Sequence, residues 1–436
     1  MKLLDSMKES ENTFCIIPFT HITTSPNNHW RQCCDSPPLI EYEGKYFSIF
    51  DHSIKEMWNH EFYKKLRMDL ITGVKNPACS KCWKKEEVGA FSYRQKSNQY
   101  KSISEEEITE IYNNKGYSNT YPKYIVLKIG NLCNLKCIMC NQVSSDKIEK
   151  EVEFWKSKNE KLPQWLEYID TYDVPDKIKD VRSLSLKSTP EKVITQLEPA
   201  LSQCYGLELV GGEAFVDPFT NQLLEYCIEQ GIAKNISIET ISNLSLINKK
   251  QIKLMEKFKS VDLTASFDHV DSEKWNFIRY PSSYETFRTN FNSLVHSDVI
   301  KLKISTTFSI FNIFDIDKIF DEFESIRQTM SKPLIINFNF VYDPNYFDIR
   351  YLESSQKEEL INKVNTYINR AKDYKIFLEN PATLGYVKTI PNFIKETPNN
   401  FLSVVKERTR VLDLYDRTRN TDSKKLYPFI KGYTWN

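Results

Sequence analysis

The sequence predicts an α/β protein: a parallel sheet, open or partly closed into a barrel, behind a cysteine-rich segment and ahead of a helical region. Three observations predict it. From Tyr124 to about residue 345, six apolar runs alternate with amphipathic stretches. Residues 1 to about 115 carry five of the ten cysteines and few strand signals. Beyond about residue 345 the strand rhythm stops. The expected division is therefore 1–115, 116–345 and 346–436.

In chain order, the N-terminal segment reads as irregular and ends in "SISEEEITEIYNNKGYSNTYP", one helix followed by a linker that Pro122 closes. The expected strands are "YIVLKIG", "GLELVGG", "NISIETIS", "VDLTASFD", "KLKISTTFS" and "LIINFNFVY". Between them lie helical patterns such as "PFTNQLLEYCIEQG", "NKKQIKLMEKFK" and "SYETFRTNFNSLVHS". The first crossover, from about 141 to 204, is long and contains "SDKIEKEVEFWKSKNEKLPQWLEYI", so it carries extra helix. Two surface-helix patterns, "SSQKEELINKVNTYINRAKDYK" and "NNFLSVVKERTRVLDLYDRT", form a C-terminal helical cap.

Composition narrows the function. With 59 basic and 58 acidic side chains, no global field points to nucleic acid or an anionic membrane. No stretch reaches the roughly 20 apolar residues of a bilayer span, and "MKLLDSMKES" carries charges where a signal peptide is apolar. The expectation is a soluble, cytoplasmic protein. In a reducing compartment, clustered cysteines hold metal or iron–sulfur centres more often than disulfides.

Reactive sites in parallel α/β sheets lie at the carboxyl ends of the strands. After the first expected strand comes "GNLCNLKCIMC", with Cys133, Cys137 and Cys140 in eight positions. After the second comes "GGEAF", Gly211 to Phe215; after the third "TISN", ending at Asn243; after the fourth "ASFDH", with Ser266 and Asp268. The fifth is followed by Thr306, Thr307, Ser309 and Asn312. All these polar groups fall on one rim. Three thiolates suffice for three irons of a cubane 4Fe–4S cluster, leaving the fourth free for a ligand. Paired glycines admit a ligand to bare backbone. Glu213 suits an ammonium group, and Ser266 and Asp268 suit ribose hydroxyls.

These motifs, C-x3-C-x2-C followed by "GGE", resemble the radical S-adenosylmethionine (SAM) superfamily over about residues 120–345. The resemblance implies a partial (β/α)6 barrel in which Cys133, Cys137 and Cys140 ligate a 4Fe–4S cluster whose unique iron SAM chelates. It implies that Gly211, Gly212 and Glu213 contact the methionine amino group, that Ser266 and Asp268 lie near the ribose, and that Met139 lies against adenine. Asn243 and Thr307 join them as cofactor-binding candidates. Met139 departs from the aromatic residue often found there. A flavodoxin or ferredoxin would reduce the cluster, SAM would be cleaved to methionine and a 5′-deoxyadenosyl radical, and the radical would take a hydrogen atom from substrate. The substrate expected is a peptide or protein, with sugars or nucleosides as the alternative.

"CIIPFTHITTSPNNHWRQCC" followed by "CSKC" resembles the SPASM/twitch auxiliary-cluster module. By that resemblance Cys15, Cys33, Cys79 and Cys82 ligate one auxiliary 4Fe–4S cluster. Asn28 stands where that pattern has glycine, a position asparagine tolerates because it also visits left-handed conformations. Cys34 adjoins Cys33, so either could be the ligand. The module also precedes the core, whereas it usually follows it.

Plainer readings stand beside these. Each cysteine set could hold structural zinc, which would make the chain a non-catalytic electron carrier or scaffold. Asp268 and Ser266 could cap a helix, as could the polar residues from Thr306 to Asn312. Arg279 reads as an ion-pair partner. Cys204 and Cys227 read as small buried hydrophobes, with hydrogen-atom donation the sharper alternative, and His21 and His29 read as solvated or structural.

Overall fold

Alternation along the strands decides which side of each is covered. In the computed structural model, which describes residues 13–36, 40–42, 45–99, 103–171, 190–396 and 398–430, the six expected strands form at Tyr124–Lys128 (β5), Gly206–Val210 (β6), Ser237–Ser242 (β7), Ser260–Ser266 (β8), Ile300–Phe308 (β9) and Ile335–Phe340 (β10). Ile125 and Leu127 of β5, and Leu207 and Leu209 of β6, are buried. Tyr124, Val126, Lys128 and Glu208, on the opposite face, are only half-buried. Side chains on a strand point to alternate faces, so one set enters the core and the other lines open space.

Among the described residues the sheet has eight strands, in the order β10-β9-β8-β7-β6-β5-β1-β2. The two unexpected ones are His21–Thr24 (β1) and Trp30–Arg31 (β2). β1 lies parallel to β5 and antiparallel to β2, while β5–β6, β6–β7 and β9–β10 pair in parallel. A second sheet pairs Glu41–Tyr42 (β3) with Lys45–Tyr46 (β4). Four and two residues are too few to show a period, so β1 and β2 escape a pattern-based reading. The turn between them places Asn28 at φ 66°, the left-handed conformation expected of it.

Helices follow the strands as the amphipathic patterns predict: Pro218–Glu229, Lys249–Met255, Tyr284–Leu294 and Ile316–Thr329. Asp217 caps the first by accepting from Phe219 N–H at 3.0 Å, and Ser283 caps the third by accepting from Thr286 N–H at 3.2 Å. The long crossover carries helices Asp146–Ser157, Gln164–Thr171 and Pro190–Leu201, and the C-terminal region includes Ser354–Ala371 and Phe401–Arg419.

The chain divides into two compact units. The first comprises Met1–Leu132, Val174–Thr240 and Lys253–Val261; the second comprises Cys133–Asp173, Ile241–Ile252 and Asp262–Asn436. The N-terminal segment is less irregular than expected. Helices Glu61–Ile71 and Ser80–Glu87 form in it, and the fully buried Arg67 donates to the carbonyls of Pro18 (2.8 Å), Trp58 (2.8 Å) and Gly116 (2.9 Å). A guanidinium can satisfy several carbonyls at once, which is how one side chain fastens three separate segments.

Candidate functional site

In the second unit, the loop bearing Cys133, Cys137 and Cys140 has no regular structure, yet its backbone is held on several sides. Cys133 N–H donates to Asp146 Oδ1 at 3.0 Å and Ser145 Oγ donates to Leu135 O at 2.7 Å, both from the start of helix Asp146–Ser157. Lys136 N–H and Ile138 N–H donate to Tyr280 O (2.5 Å) and Ile278 O (2.8 Å). From the C-terminal helix, Arg419 donates to Lys136 O at 2.8 Å and forks onto Glu151 at 3.1 and 2.6 Å. Lys136 Nζ also reaches Glu151, at 2.8 Å.

The three thiols lie on this fixed loop. Cys133 is buried, Cys137 and Cys140 half-buried, with Met139 half-buried between them. Burial pushes the Cys140 thiol up to about 12, the neighbouring Cys137 adding to the rise, while Arg279 and Arg419 work against it. Burial also raises Cys137, with Arg279 and Arg419 opposing and Asp268 reinforcing. Two guanidiniums therefore stand by to favour thiolates, the form that a metal ligand takes.

Asp268 is 2% exposed. Its Oδ2 lies 2.7 Å from Arg279 Nε and its Oδ1 accepts from Thr307 N–H at 3.1 Å. Asn312 ties the same corner together, donating to Asp268 O and Thr307 O, each at 3.0 Å. Arg279, read from the sequence as an ion-pair partner, is that partner for Asp268. Asn243 donates to Asn134 Oδ1 at 3.1 Å, and Asn134 donates to Ser245 Oγ at 2.7 Å, which pins the residue following Cys133. Ser266 is half-buried at the end of β8. Asp268, Thr307 and Asn312 thus form one network, and Asn243 belongs to another that holds the cysteine loop.

In the first unit, "GGE" meets the segment leading out of β5. Gly212 N–H donates to Gly130 O and Glu213 N–H donates to Leu132 O, both at 2.9 Å. A Cβ on Gly212 would stand 2.5 Å from Leu132 O and 2.7 Å from Asn131 O. The glycine is thus required by close approach of two backbones. Glu213 is buried, and its Oε1 accepts from Phe215 N–H at 3.4 Å.

The N-terminal cysteines converge. Cys15, Cys33, Cys79 and Cys82 line one cavity, together with Tyr93 and Arg94. Burial raises the Cys15 and Cys79 thiols to about 12; Cys82 raises both further, Cys79 raises Cys15, and Arg94 lowers both. Arg94 is itself bound to Glu86 through two nitrogens, at 3.0 and 2.8 Å. Cys34 does not line this cavity. It is exposed and lines the neighbouring one, where its thiol is held down at about 6 by hydrogen bonding with Cys33. Among the described residues no group of three or more His, Cys, Asp or Glu is arranged to hold a single metal ion. Four thiols around one cavity beside a guanidinium nevertheless fit a group that binds several thiolates.

Cys204 and Cys227 are buried, and Cys204 donates to Gly206 O at 2.8 Å, at the amino end of β6 and away from the carboxyl ends. His21 stacks on Tyr124 with ring centres 4.6 Å apart. Arg419 escaped sequence reading because 268 residues separate it from Glu151; only the fold brings them together.

No family model and no curated protein matches the chain. Solved structures similar to it include native anSMEcpe with bound AdoMet, at 14% identity and TM-score 0.36 over 56% of this chain and 60% of that one. Streptococcus suis SuiB bound to precursor peptide SuiA is similar at 14% identity and TM-score 0.36, over 71% and 64%. SuiB bound to S-adenosylmethionine is similar at 14% identity and TM-score 0.32, over 71% and 62%. The chain spans less than two thirds of the length of each.

Proposed function

We propose that this chain is a radical SAM enzyme acting on a peptide or protein, with a second iron–sulfur site in its N-terminal segment. The observation that carries the reading is the cysteine loop: three thiols in eight positions, backbone held by hydrogen bonds from separate elements, with Arg279 and Arg419 acting on Cys137 and Cys140. The donor set fits a 4Fe–4S cluster, which Cys133, Cys137 and Cys140 would hold. When bound, the cluster and SAM supply reductive cleavage of SAM and hydrogen-atom abstraction from substrate.

The chain's own residues do the positioning. Asp146, Ser145 and Arg419 fix the loop so that its thiols need little reorganisation on loading. Asp268 orients Arg279 beside Cys137 and anchors the β9 end through Thr307. Gly212 lets the β6 end lie against the backbone entering the loop, and the neighbouring Glu213 would accept from an ammonium group. Cys15, Cys33, Cys79 and Cys82 would hold the auxiliary cluster, with Arg94 offsetting their charge. A flavodoxin or ferredoxin would serve as electron donor.

The test is direct. Anaerobically reconstituted protein given dithionite and SAM should release 5′-deoxyadenosine, and Cys137→Ala should abolish the release. Zinc without iron in the metal analysis, or SAM left intact by reduced protein, overturns the proposal.

A further inference from the structure

Within the first unit, a cavity of about 300 Å³ opens against β1 and against the face of β5 and β6 opposite their buried leucines and isoleucine. Lys128, Glu208, Gln32, Tyr93 and Cys34 are among the side chains lining it. Lys128 is half-buried and, among the described residues, makes no ion pair and no side-chain hydrogen bond. An ammonium held partly out of water without a direct ion pair is costly; Cys34 and Glu208 act to favour its charge, while neighbouring Arg31 opposes it.

Cys34 and Glu208 are the acidic groups that act on Lys128, and neither forms an ion pair with it among the described residues. Glu208 is further weakened as a partner. It stands directly opposite Glu239 in the β6–β7 register, a like-charge pairing that sheets avoid. Burial, reinforced by Glu239, pushes the Glu208 carboxyl up to about 7. The lysine is left with Glu208, partly neutral at physiological pH, and with Cys34, neither of which pairs with it directly.

A second observation concerns Gln32, which lines this cavity and the neighbouring cysteine cavity. Gln32 is 1% exposed, and among the described residues its Oε1 has no hydrogen-bond partner. Its Nε2 donates to Ala78 O at 3.3 Å and to Ser36 Oγ. A carbonyl can only accept, so the Ala78 contact fixes which end of the amide is which. A buried acceptor left without a donor is uncommon in native structures. Among the described residues the cavity thus presents a cation without an ion pair and an acceptor without an N–H.

We propose that this cavity binds a carboxylate-bearing peptide segment, the carboxylate meeting Lys128 and a backbone amide N–H meeting Gln32 Oε1. The inference rests on the peptide-substrate reading above and narrows it to peptides with an acidic side chain or a free C-terminus, which offer the same chemistry.

Equilibrium dialysis of the full chain with radiolabelled probes tests it, without SAM or reductant, so it can fail while SAM cleavage stands, and the reverse. The probes are acetyl-Gly-Glu-Gly amide, acetyl-Gly-Gly-Gly free acid and, as the uncharged control, acetyl-Gly-Gln-Gly amide. At least one acid should bind ten-fold or more tightly than the control, and which acid does so identifies the source of the carboxylate. Lys128→Gln should erase the preference and Lys128→Arg should retain it, with circular dichroism confirming that both variants fold. The wild-type preference alone decides the matter if Lys128→Gln does not fold. Equal binding of acid and control, binding of neither acid, or a preference that survives in folded Lys128→Gln overturns the proposal.

Discussion

Arg279 Nε lies 2.7 Å from Asp268 Oδ2, with the two side chains only 11% and 3% exposed. Removing one partner of a buried pair leaves an uncompensated charge, at a cost of about 3–5 kcal/mol. Arg279→Met should therefore lower the denaturation midpoint strongly. Asp268→Asn should cost less, because an amide oxygen still accepts from Thr307 N–H. If urea unfolding of Arg279→Met matched the parent, the pair would have no structural role.

The N-terminal cavity separates two adjacent cysteines, Cys33 inside it and Cys34 outside. Iron per chain in reconstituted protein should fall from about eight to about four in Cys33→Ser and in the Cys79→Ala/Cys82→Ala double variant, at four irons per cubane. Cys34→Ser should keep its full iron. A loss in Cys34→Ser with none in Cys33→Ser would reverse the assignment.

Arg419 joins the C-terminal helix to the cysteine loop through Lys136 O and shares Glu151 with Lys136 Nζ. Its side chain is 2% exposed, so Arg419→Gln leaves Glu151 buried with a single cation. Destabilisation of about 3 kcal/mol or more is expected, along with slower incorporation and faster loss of the iron held by Cys133, Cys137 and Cys140. Arg419→Lys should restore only part of this, because an ammonium cannot fork onto a carboxylate and reach a carbonyl as well. Iron release to a chelator, timed by absorbance, reads the difference.

Acid should weaken the fold in two windows. Burial pushes the His21 imidazole down to about 4, against about 6.5 unfolded. The unfolded chain then binds more protons between those values, so His21 contributes its full stability above about 6.5, and this is lost as pH falls towards 4. Asp315 is pulled upward by burial, but hydrogen bonds from His269, Lys274 and Lys318 hold it well below the usual carboxylate range. Its stabilisation is present above about 4 and is lost as pH falls further. Melting curves from pH 7 to 3 should show both losses. His21→Gln should remove the upper one alone, and Asp315→Asn the lower.

The six strands from β5 to β10 were legible because each runs at least five residues with alternating burial, and the cysteine loop because its spacing is local. β1 was not legible, since four residues carry no period. Asp268 was singled out by its position alone. Strand-end position predicts a ligand contact, while both its oxygens are already engaged by Arg279 and Thr307. Arg419, Arg94 and the Lys128 cavity went unnoticed for a shared reason. Their significance comes from partners far away in sequence, and a lone charged residue on a helix or strand reads as solvated surface.

Gly212 offers the sharpest test of how the β6 end and the entry to the cysteine loop depend on each other. A Cβ there would lie 2.5 Å from Leu132 O and 2.7 Å from Asn131 O, and both obstacles are backbone. On Gly211 the contacts are 2.9 Å to Gly130 O and 2.9 Å to Ile129 Cγ1, one of them a side chain that can swing aside. Gly212→Ala must therefore separate the two segments and strain the hydrogen bonds from Gly212 N–H to Gly130 O and from Glu213 N–H to Leu132 O. Overpacking of this kind costs about 1–3 kcal/mol, and Leu132 is joined directly to Cys133, so iron retention should fall with stability. Gly211→Ala should be milder in both. Should Gly212→Ala melt and hold iron like the parent while Gly211→Ala does not, close backbone approach would not be the reason for the glycine.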